Sequence, residues 1–182
     1  MKYLALLLTV VLFLPPVVKA QSSPEVLAQE YFDALRTEGF SSSGRFMHPD
    51  ALIQLKNMLL PVYEVEASSG SRELINATFG ESASYSQLVD LEPEQFMNGF
   101  LNIIALQLGA MTLAFDSLEV LGTVNENENV HVLSRITVTS GPVSVTQFEV
   151  LSFKPYEDTW KLQLNGEWQG MVQALRANVL GQ

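Results

Sequence analysis

The sequence predicts an α+β domain in which helices come first and an antiparallel sheet follows. Apolar residues recur at helical spacing through residues 24–108. Four extended runs then fill residues 115–165, and short turn sequences separate them. Helical spacing returns in residues 169–180. Together these three observations indicate N-terminal helices packed on an antiparallel sheet, with an extra helix at the C-terminal end.

The first helix is marked at both ends. Ser22-Ser23-Pro24-Glu25 combines a serine cap, an early proline and an acidic first turn, which are typical of a helix N-terminus. Gly39 is expected to end this helix, because glycine tolerates the backbone conformation that commonly follows a last turn. The polar residues 41–44 are predicted to form a joint before the next helix.

The second helix is predicted to begin at Pro49 and to carry leucines on one face at Leu52, Leu55 and Leu59. Pro61 should kink or break it, because proline removes a helical hydrogen bond. Residues 62–67 alternate like a strand yet also fit a helix, and we favour a kinked helical continuation over the strand. Residues 74–79 and 85–89 are predicted to be short helical pieces.

Residues 96–115 are free of charge, so this segment fits either a membrane span or a buried helix. It follows Glu92-Pro93-Glu94, a good helix start with acids at the positive end of the helix dipole. Three amides lie at helical spacing within or beside it: Gln95, Asn98 and Asn102. Because these amides and Gly109 suit a core helix with a polar stripe, we favour the buried helix.

The extended runs are residues 115–124, 130–139, 143–153 and 159–165. The connecting sequences NENEN, SGP and KPYED are rich in turn-forming residues. Such short connections join antiparallel neighbours, whereas parallel strands need long crossovers. The sequence therefore predicts an antiparallel meander.

Residues 1–20 are predicted to be a signal peptide. Lys2 precedes an apolar run, and Val18-Lys19-Ala20 supplies the small residues that signal peptidase needs before its cleavage point. The apolar run is short for a stable span. We therefore expect an exported protein, periplasmic or secreted and of bacterial type, whose mature chain, residues 21–182, forms a single domain with no stable membrane span.

Charge and composition exclude several kinds of partner and site. Loss of Lys2 and Lys19 with the leader changes the formal charge from −10 to −12, which opposes nucleic acid because phosphate contacts need clustered basic residues. The chain has no cysteine and only two histidines, far apart. No metal site is therefore expected, and without a phosphate-binding fingerprint no cofactor is expected either.

Candidate site residues lie on the strands and the first helix. Gln147 and Glu149 share a strand face with large apolar residues, so they would line a cavity if that face is inward. A desolvated Glu149 could then act as an acid or base. If the face is outward, both side chains are simply solvated. Tyr31 on the first helix could donate a hydrogen bond into the same cavity or pack at its rim.

His48 and Asp50 in FMHPDAL admit two interpretations. They could form an acid–base pair. Alternatively, His48 caps the second helix, Pro49 takes the first helical position and Asp50 meets the positive end of the dipole. The capping interpretation explains the spacing without a substrate, and we favour it. His131 is expected to be an ordinary surface histidine at a turn exit.

The order of elements in residues 24–168 resembles the nuclear-transport-factor-2-like superfamily, also called cystatin-like α+β. The resemblance rests on EYFDAL in the first helix, on HPDAL, and on the meander from VHVLSRITVT to LQLNGEW. The chain looks most like small exported bacterial proteins of this group without assigned activity, although its terminal helix departs from the common pattern. The resemblance implies a curved, cone-like sheet whose concave face encloses a cavity, used in different members for catalysis, binding or dimerisation.

These observations lead to three alternatives. The favoured one is an exported, non-enzymatic domain that binds a small apolar molecule or a protein partner, with a homodimer through the sheet left open. The second is an isomerase-, cyclase- or hydrolase-like enzyme that uses Glu149, or His48 with Asp50, as base and Tyr31 as donor. The third is a purely structural interaction module. An open cavity would favour the first two, and a filled interior the third.

Overall fold

Helices precede a four-stranded antiparallel sheet, and the predicted α+β class is confirmed. The computed structural model describes residues 22–109 and 113–180, so the predicted signal peptide lies outside the described residues. Within these ranges the helices α1 to α5 and a 3-10 helix come before the strands, and α6 follows them.

Helix α1 spans Pro24–Glu38. Its cap is the predicted one, since the Ser23 hydroxyl accepts a hydrogen bond from the Val26 N–H at 3.4 Å. Gly39, at φ +80°, ends the helix as expected. The predicted joint is instead part of a 3-10 helix, Phe40–Phe46. Its tighter turn buries Ser42, whose hydroxyl donates to the Gly39 carbonyl at 2.7 Å.

Helix α2 runs without a break from Pro49 to Ser69, so residues 62–67 are helical and the strand alternative is wrong. The decisive factor is burial at helical spacing. Val62, Tyr63 and Glu66 all face the interior, whereas the intervening Glu64 is exposed. Gly70 ends the helix in the left-handed conformation at φ +80°.

Three further helices complete the helical half: α3 over Glu73–Phe79, α4 over Tyr85–Asp90 and α5 over Pro93–Gly109. In α5 the predicted amide stripe faces solvent, while the opposite face buries four apolar side chains, Phe96, Met97, Phe100 and Leu101. In the part of the chain that the structure describes, no helix has the length and apolar character needed to cross a membrane.

The strands pair in the order β1-β2-β3-β4, all antiparallel, as the meander prediction requires. They span Leu113–Glu126, Asn129–Ser140, Val143–Tyr156 and Thr159–Leu162. The fourth strand was predicted to reach residue 165, and this is wrong. The chain leaves the sheet after Leu162 and enters helix α6, Gly166–Leu180, three residues before the predicted start.

Two apolar clusters hold these elements together. One lies among the helices and centres on Leu55, Leu59, Tyr63, Phe96 and Leu101. The other joins α1 to the sheet through Leu27, Ala28, Val132, Leu151, Phe153 and Leu162. The second cluster covers only one end of the inner sheet face, because Val143 and Val145 at the other end remain more than half exposed. Between the two clusters the inner face is open enough to leave a cavity.

Candidate functional site

A cavity of about 450 Å³ lies between the inner face of the sheet and the surrounding helices. Its walls are mainly apolar, and they include the following residues from α1, the 3-10 helix, α5, α6 and the strands: Leu35, Phe40, Ile104, Met171, Ile136 and Leu162. Pockets of this size and character hold small organic molecules in other proteins.

Strand β3 brings both predicted polar residues to this cavity. Its register pairs Ser134 with Glu149 and Ile136 with Gln147, and both Gln147 and Glu149 line the cavity. Of the two orientations that the sequence left open for this strand face, the structure has the inward one. Along the strand, Gln147 is exposed, Glu149 half-buried and Leu151 buried. Burial along this face of β3 therefore increases from Gln147 to Leu151.

Glu149 is connected to the start of α6 through Asn165. The Asn165 Nδ2 donates to Glu149 Oε1 at 3.0 Å, and its Oδ1 accepts from the Trp168 N–H at 3.2 Å. Asn165 thus caps α6 and orients the Glu149 carboxylate at the same time. Sequence reasoning missed this residue because it assigned Asn165 to the last strand. An asparagine before Gly166 and a helical repeat is a capping signal that could have identified it.

Tyr31 also lines the cavity, from helix α1. Its ring is half-buried and meets the Phe46 ring edge-on, with centroids 5.4 Å apart. The structure therefore brings together Tyr31, Gln147 and Glu149, the three residues predicted as ligand-binding. Trp168 is a further large side chain in the wall.

The charged side chain in the described part of the cavity wall is acidic. Among the described residues that line it, Glu149 is an acid, and none is lysine, arginine or histidine. The remaining polar side chains there are neutral and include Gln147, Gln163 and Asn165.

His48 and Asp50 are not among the residues that line this cavity. His48 is buried at the N-cap of α2, where its Nδ1 accepts from the Asp50 N–H at 3.1 Å. The Asp50 carboxylate accepts from Lys154 at 3.0 Å, and this hydrogen bond holds the pKa of Asp50 below its ordinary value. Both side chains thus contribute to the helix start, in line with the favoured interpretation.

His131 has more partners than expected of an ordinary surface histidine. On the outer sheet face its Nδ1 lies 2.8 Å from the Ser152 Oγ, and its Nε2 lies 3.0 Å from Glu126 Oε2. This set of residue types is that of a hydrolase triad. However, Ser152 lies within a regular strand, whereas nucleophilic serines commonly sit on an exposed sharp turn. We interpret the set as a cross-strand structural link.

The outer sheet face also exposes several apolar side chains: Leu121, Val124, Leu133, Phe148 and Val150. Arg135 lies over one of them, since its guanidinium is 5.6 Å from the Phe148 ring centroid, and it also pairs with Glu119. The homodimer through the sheet would cover this face, and it stays a prediction.

A buried carboxylate in the helical half was also missed. Glu66 is 7% exposed and accepts hydrogen bonds from the N–H groups of Leu74 and Ile75 and from the Ser71 hydroxyl. These are orphan donors at the start of α3, so Glu66 caps that helix from a neighbouring one. The role is structural, because the carboxylate is occupied by its own chain.

Across residues 22–109 and 113–180, no three His, Cys, Asp or Glu side chains come together in a way that could hold a metal ion. No protein-family model, curated protein or solved structure matches this chain. The resemblance to the nuclear-transport-factor-2-like superfamily therefore stays a prediction.

Proposed function

We propose that this protein binds a small, largely apolar molecule in the cavity between its sheet and its helices. The observation that carries this proposal is the open volume of about 450 Å³ with mainly apolar walls. Burial of apolar ligand surface there would contribute roughly 25 cal/mol per Å² before the costs of association. A purely structural module is less well supported, because such a module would be expected to fill this space with its own side chains.

The few polar groups in the wall would orient the ligand. Glu149 is held by Asn165, and Gln147 is two residues away on the same strand face. A small number of fixed polar groups in an apolar pocket is the usual arrangement for specificity. Tyr31 on the opposite wall adds a hydroxyl to this set.

An enzyme of the isomerase, cyclase or hydrolase kind is the second candidate, and it is favoured by the position of Glu149 in the cavity. Acid–base catalysis commonly uses a second titratable or electrophilic group near the first. Glu149 accepts a hydrogen bond from Asn165, an amide that orients the carboxylate and does not itself titrate. His48 and Asp50 are engaged in the helix start. We therefore place ligand binding before catalysis.

The proposal has three further parts. We infer that the protein is exported and that it belongs to the nuclear-transport-factor-2-like superfamily. As an alternative to a small ligand, a protein partner or a second copy would bind at the sheet. Export rests on the leader-like residues 1–20. The superfamily rests on the order of helices and strands, and the protein partner on the exposed apolar outer face.

The neutral apolar dye N-phenyl-1-naphthylamine, excited directly, tests binding in the cavity. We expect its emission to rise with the purified protein. Val138→Trp should weaken binding about tenfold or more, because an indole on this cavity-lining residue would occupy the ligand's space.

Val124→Trp is the matched control. Val124 lies on the outer face, where it is 62% exposed, so the same substitution should leave dye binding unchanged. Circular dichroism would verify that both variants are folded. Equal binding by the wild type and both variants would show that the dye does not use the cavity, and no binding by the wild type would contradict the proposal.

A further inference from the structure

A second cavity adjoins the proposed binding cavity. Its volume is about 330 Å³, and residues from the end of α1, the 3-10 helix, α5 and the start of β1 line it. We propose that one elongated ligand with a long, unbranched hydrocarbon chain occupies both cavities. This inference rests on the proposed binding function and specifies the ligand class for that site.

The two cavities meet at a shared wall. Three side chains line both of them: Leu35, Phe40 and Phe115. From there the second cavity extends to Ala105 on α5 and Leu113 at the start of β1, which are not among the described residues that line the first. A ligand too long for the first cavity therefore has a continuation of the site beyond these shared residues.

The sheet register gives the length of the combined path. Leu151 in the wall of the first cavity pairs with Val132, and Leu113 in the wall of the second pairs with Ser140. Val132 and Ser140 are eight residues apart on β2, which corresponds to about 27 Å at the usual rise of a strand. One acyl chain of a membrane lipid spans about half of a ~30 Å hydrocarbon layer. The path is therefore long enough for a complete single chain.

The junction between the cavities favours a thin ligand. The Phe40 and Phe115 rings pack on each other there, with centroids 5.5 Å apart. The buried Phe32 ring meets Phe115 edge-on at 6.0 Å and supports it from α1. A fused-ring ligand would have to displace these packed rings in order to cross, whereas an unbranched chain has the smallest cross-section of any hydrocarbon.

The second cavity offers little to a polar ligand. Among the described residues that line it, Arg36 has a charged side chain, and its guanidinium already donates to Asp33 Oδ1 at 2.9 Å. The other described lining residues are apolar or glycine. A hydrocarbon segment loses no hydrogen bonds on entering such a space, whereas a polar segment would lose those it makes with water.

One long molecule is favoured over two short ones and over a protein partner. Two separate ligands would each lose translational and rotational freedom, whereas one molecule that fills both cavities loses it once. A stable protein interface uses about 20–30 residues on each side. The described wall of the second cavity has eight residues, which is few for a protein and sufficient for part of a chain.

A series of alkyl maltosides tests the length of the ligand. Octyl, decyl, dodecyl and tetradecyl maltoside share a neutral head group, and each would compete with N-phenyl-1-naphthylamine below the concentration at which it forms micelles. Full burial strengthens binding about fourfold for each methylene. We expect a gain of at least about twofold per methylene that continues to tetradecyl maltoside. A gain that stops before tetradecyl would overturn the inference, because the site would then hold only a compact ligand.

Ala105→Trp tests the second cavity. An indole on this residue would fill the space beside α5, so competition by tetradecyl maltoside should weaken about tenfold or more. Binding of the compact dye in the first cavity should be unchanged. Ala77→Trp is the matched control, because Ala77 is exposed on α3 and is not among the lining residues. Leu113→Trp blocks the same cavity from β1 and takes the place of Ala105→Trp if circular dichroism shows that variant to be unfolded.

The outcomes separate this inference from the proposed function. A loss of tetradecyl maltoside binding in the blocked variant, with dye binding kept and Ala77→Trp unaffected, supports the second cavity as part of the site. The inference is overturned if the blocked variant keeps its affinity for tetradecyl maltoside, if it loses the dye to the same extent, or if Ala77→Trp shows an equal loss. Failure of the dye and of every maltoside to bind the wild type would instead contradict the proposed function itself.

Discussion

Tyr63 shows how a single polar atom is accommodated in the helical core. Its ring is fully buried and meets the rings of Phe79 and Phe96 edge-on, while those two rings are tilted against each other. Its hydroxyl donates to Thr78 Oγ1 at 3.2 Å, and the Thr78 hydroxyl donates in turn to the Leu74 carbonyl at 2.7 Å. The hydroxyl is thus satisfied without water, as a buried polar group requires.

Tyr63→Phe should cost about 1 kcal/mol of unfolding free energy near pH 7, because it deletes this hydrogen bond. Burial raises the pKa of Tyr63 to about 12 in the folded protein, while the phenol titrates near pH 10 when unfolded. Its contribution to stability is therefore complete below about pH 10 and is lost as the pH rises towards 12.

Urea unfolding of the wild type and the variant between pH 7 and 11 measures this effect. The wild type should lose stability above pH 10 more steeply than Tyr63→Phe, so the difference between them should shrink. A constant difference across this range would contradict the assignment of Tyr63 as a buried, protonated phenol.

Residue-level roles were predictable where the partner lies nearby in the sequence. The Ser23 and His48 caps depend on residues two or three positions away, and both were anticipated. Glu66 was missed because its partners Leu74 and Ile75 come from a separate helix. Helical spacing places Glu66 on the buried face with Val62 and Tyr63, unlike the exposed Glu64, but it does not show which N–H groups the carboxylate meets.

At the scale of elements, close packing between α3 and α5 depends on Gly99. A Cβ on this residue would overlap the Phe79 ring, with Phe79 Cδ1 at 2.6 Å. That ring cannot move away easily, since it packs on Tyr63 and Phe96. The glycine therefore permits an approach that any other residue would prevent.

Gly99→Ala and Gly170→Ala should change stability in opposite directions. Alanine gains up to about 1 kcal/mol over glycine inside a helix, but at Gly99 overpacking should cost ~1–3 kcal/mol and outweigh that gain. At Gly170 in α6 an added Cβ meets no atom within 4 Å in the described structure. Thermal unfolding should show a lower midpoint for Gly99→Ala and an equal or higher one for Gly170→Ala. The reverse order would contradict the packing of α3 on α5.

Which side chains share a strand face was predictable because side chains alternate strictly along a strand. The alternation correctly placed Gln147 and Glu149 on one face with Leu151, but it left open whether that face is the inner one. The end of the last strand was predicted too late, because residues 159–165 fit one extended run and the capping signal of Asn165 before Gly166 is the local pattern that limits it. In the structure the strand ends at Leu162, and Asn165 both caps α6 and bonds to Glu149.

On the scale of the whole molecule, the cavity exists because the helices cover the sheet unevenly. Helix α1 packs on one end of the inner face through Leu27 and Ala28, and α6 follows the last strand. The wall between them stays apolar and open. Sequence patterns grouped the residues that share a strand face, but the volume that the inner face encloses depends on how far the helices stand from the sheet. Periodicity carries no information on that distance.

The central claim is that this cavity takes up a small apolar molecule, and the two tryptophans of the chain provide the most direct measurement. Trp168 lines the cavity, whereas Trp160 packs against the cluster between α1 and the sheet. In a nitrogen–proton correlation spectrum, assigned with Trp160→Phe, dodecanol should shift the Trp168 indole signal and leave that of Trp160 in place. A Trp168 signal that does not move at saturating dodecanol, or a shift confined to Trp160, would contradict the claim.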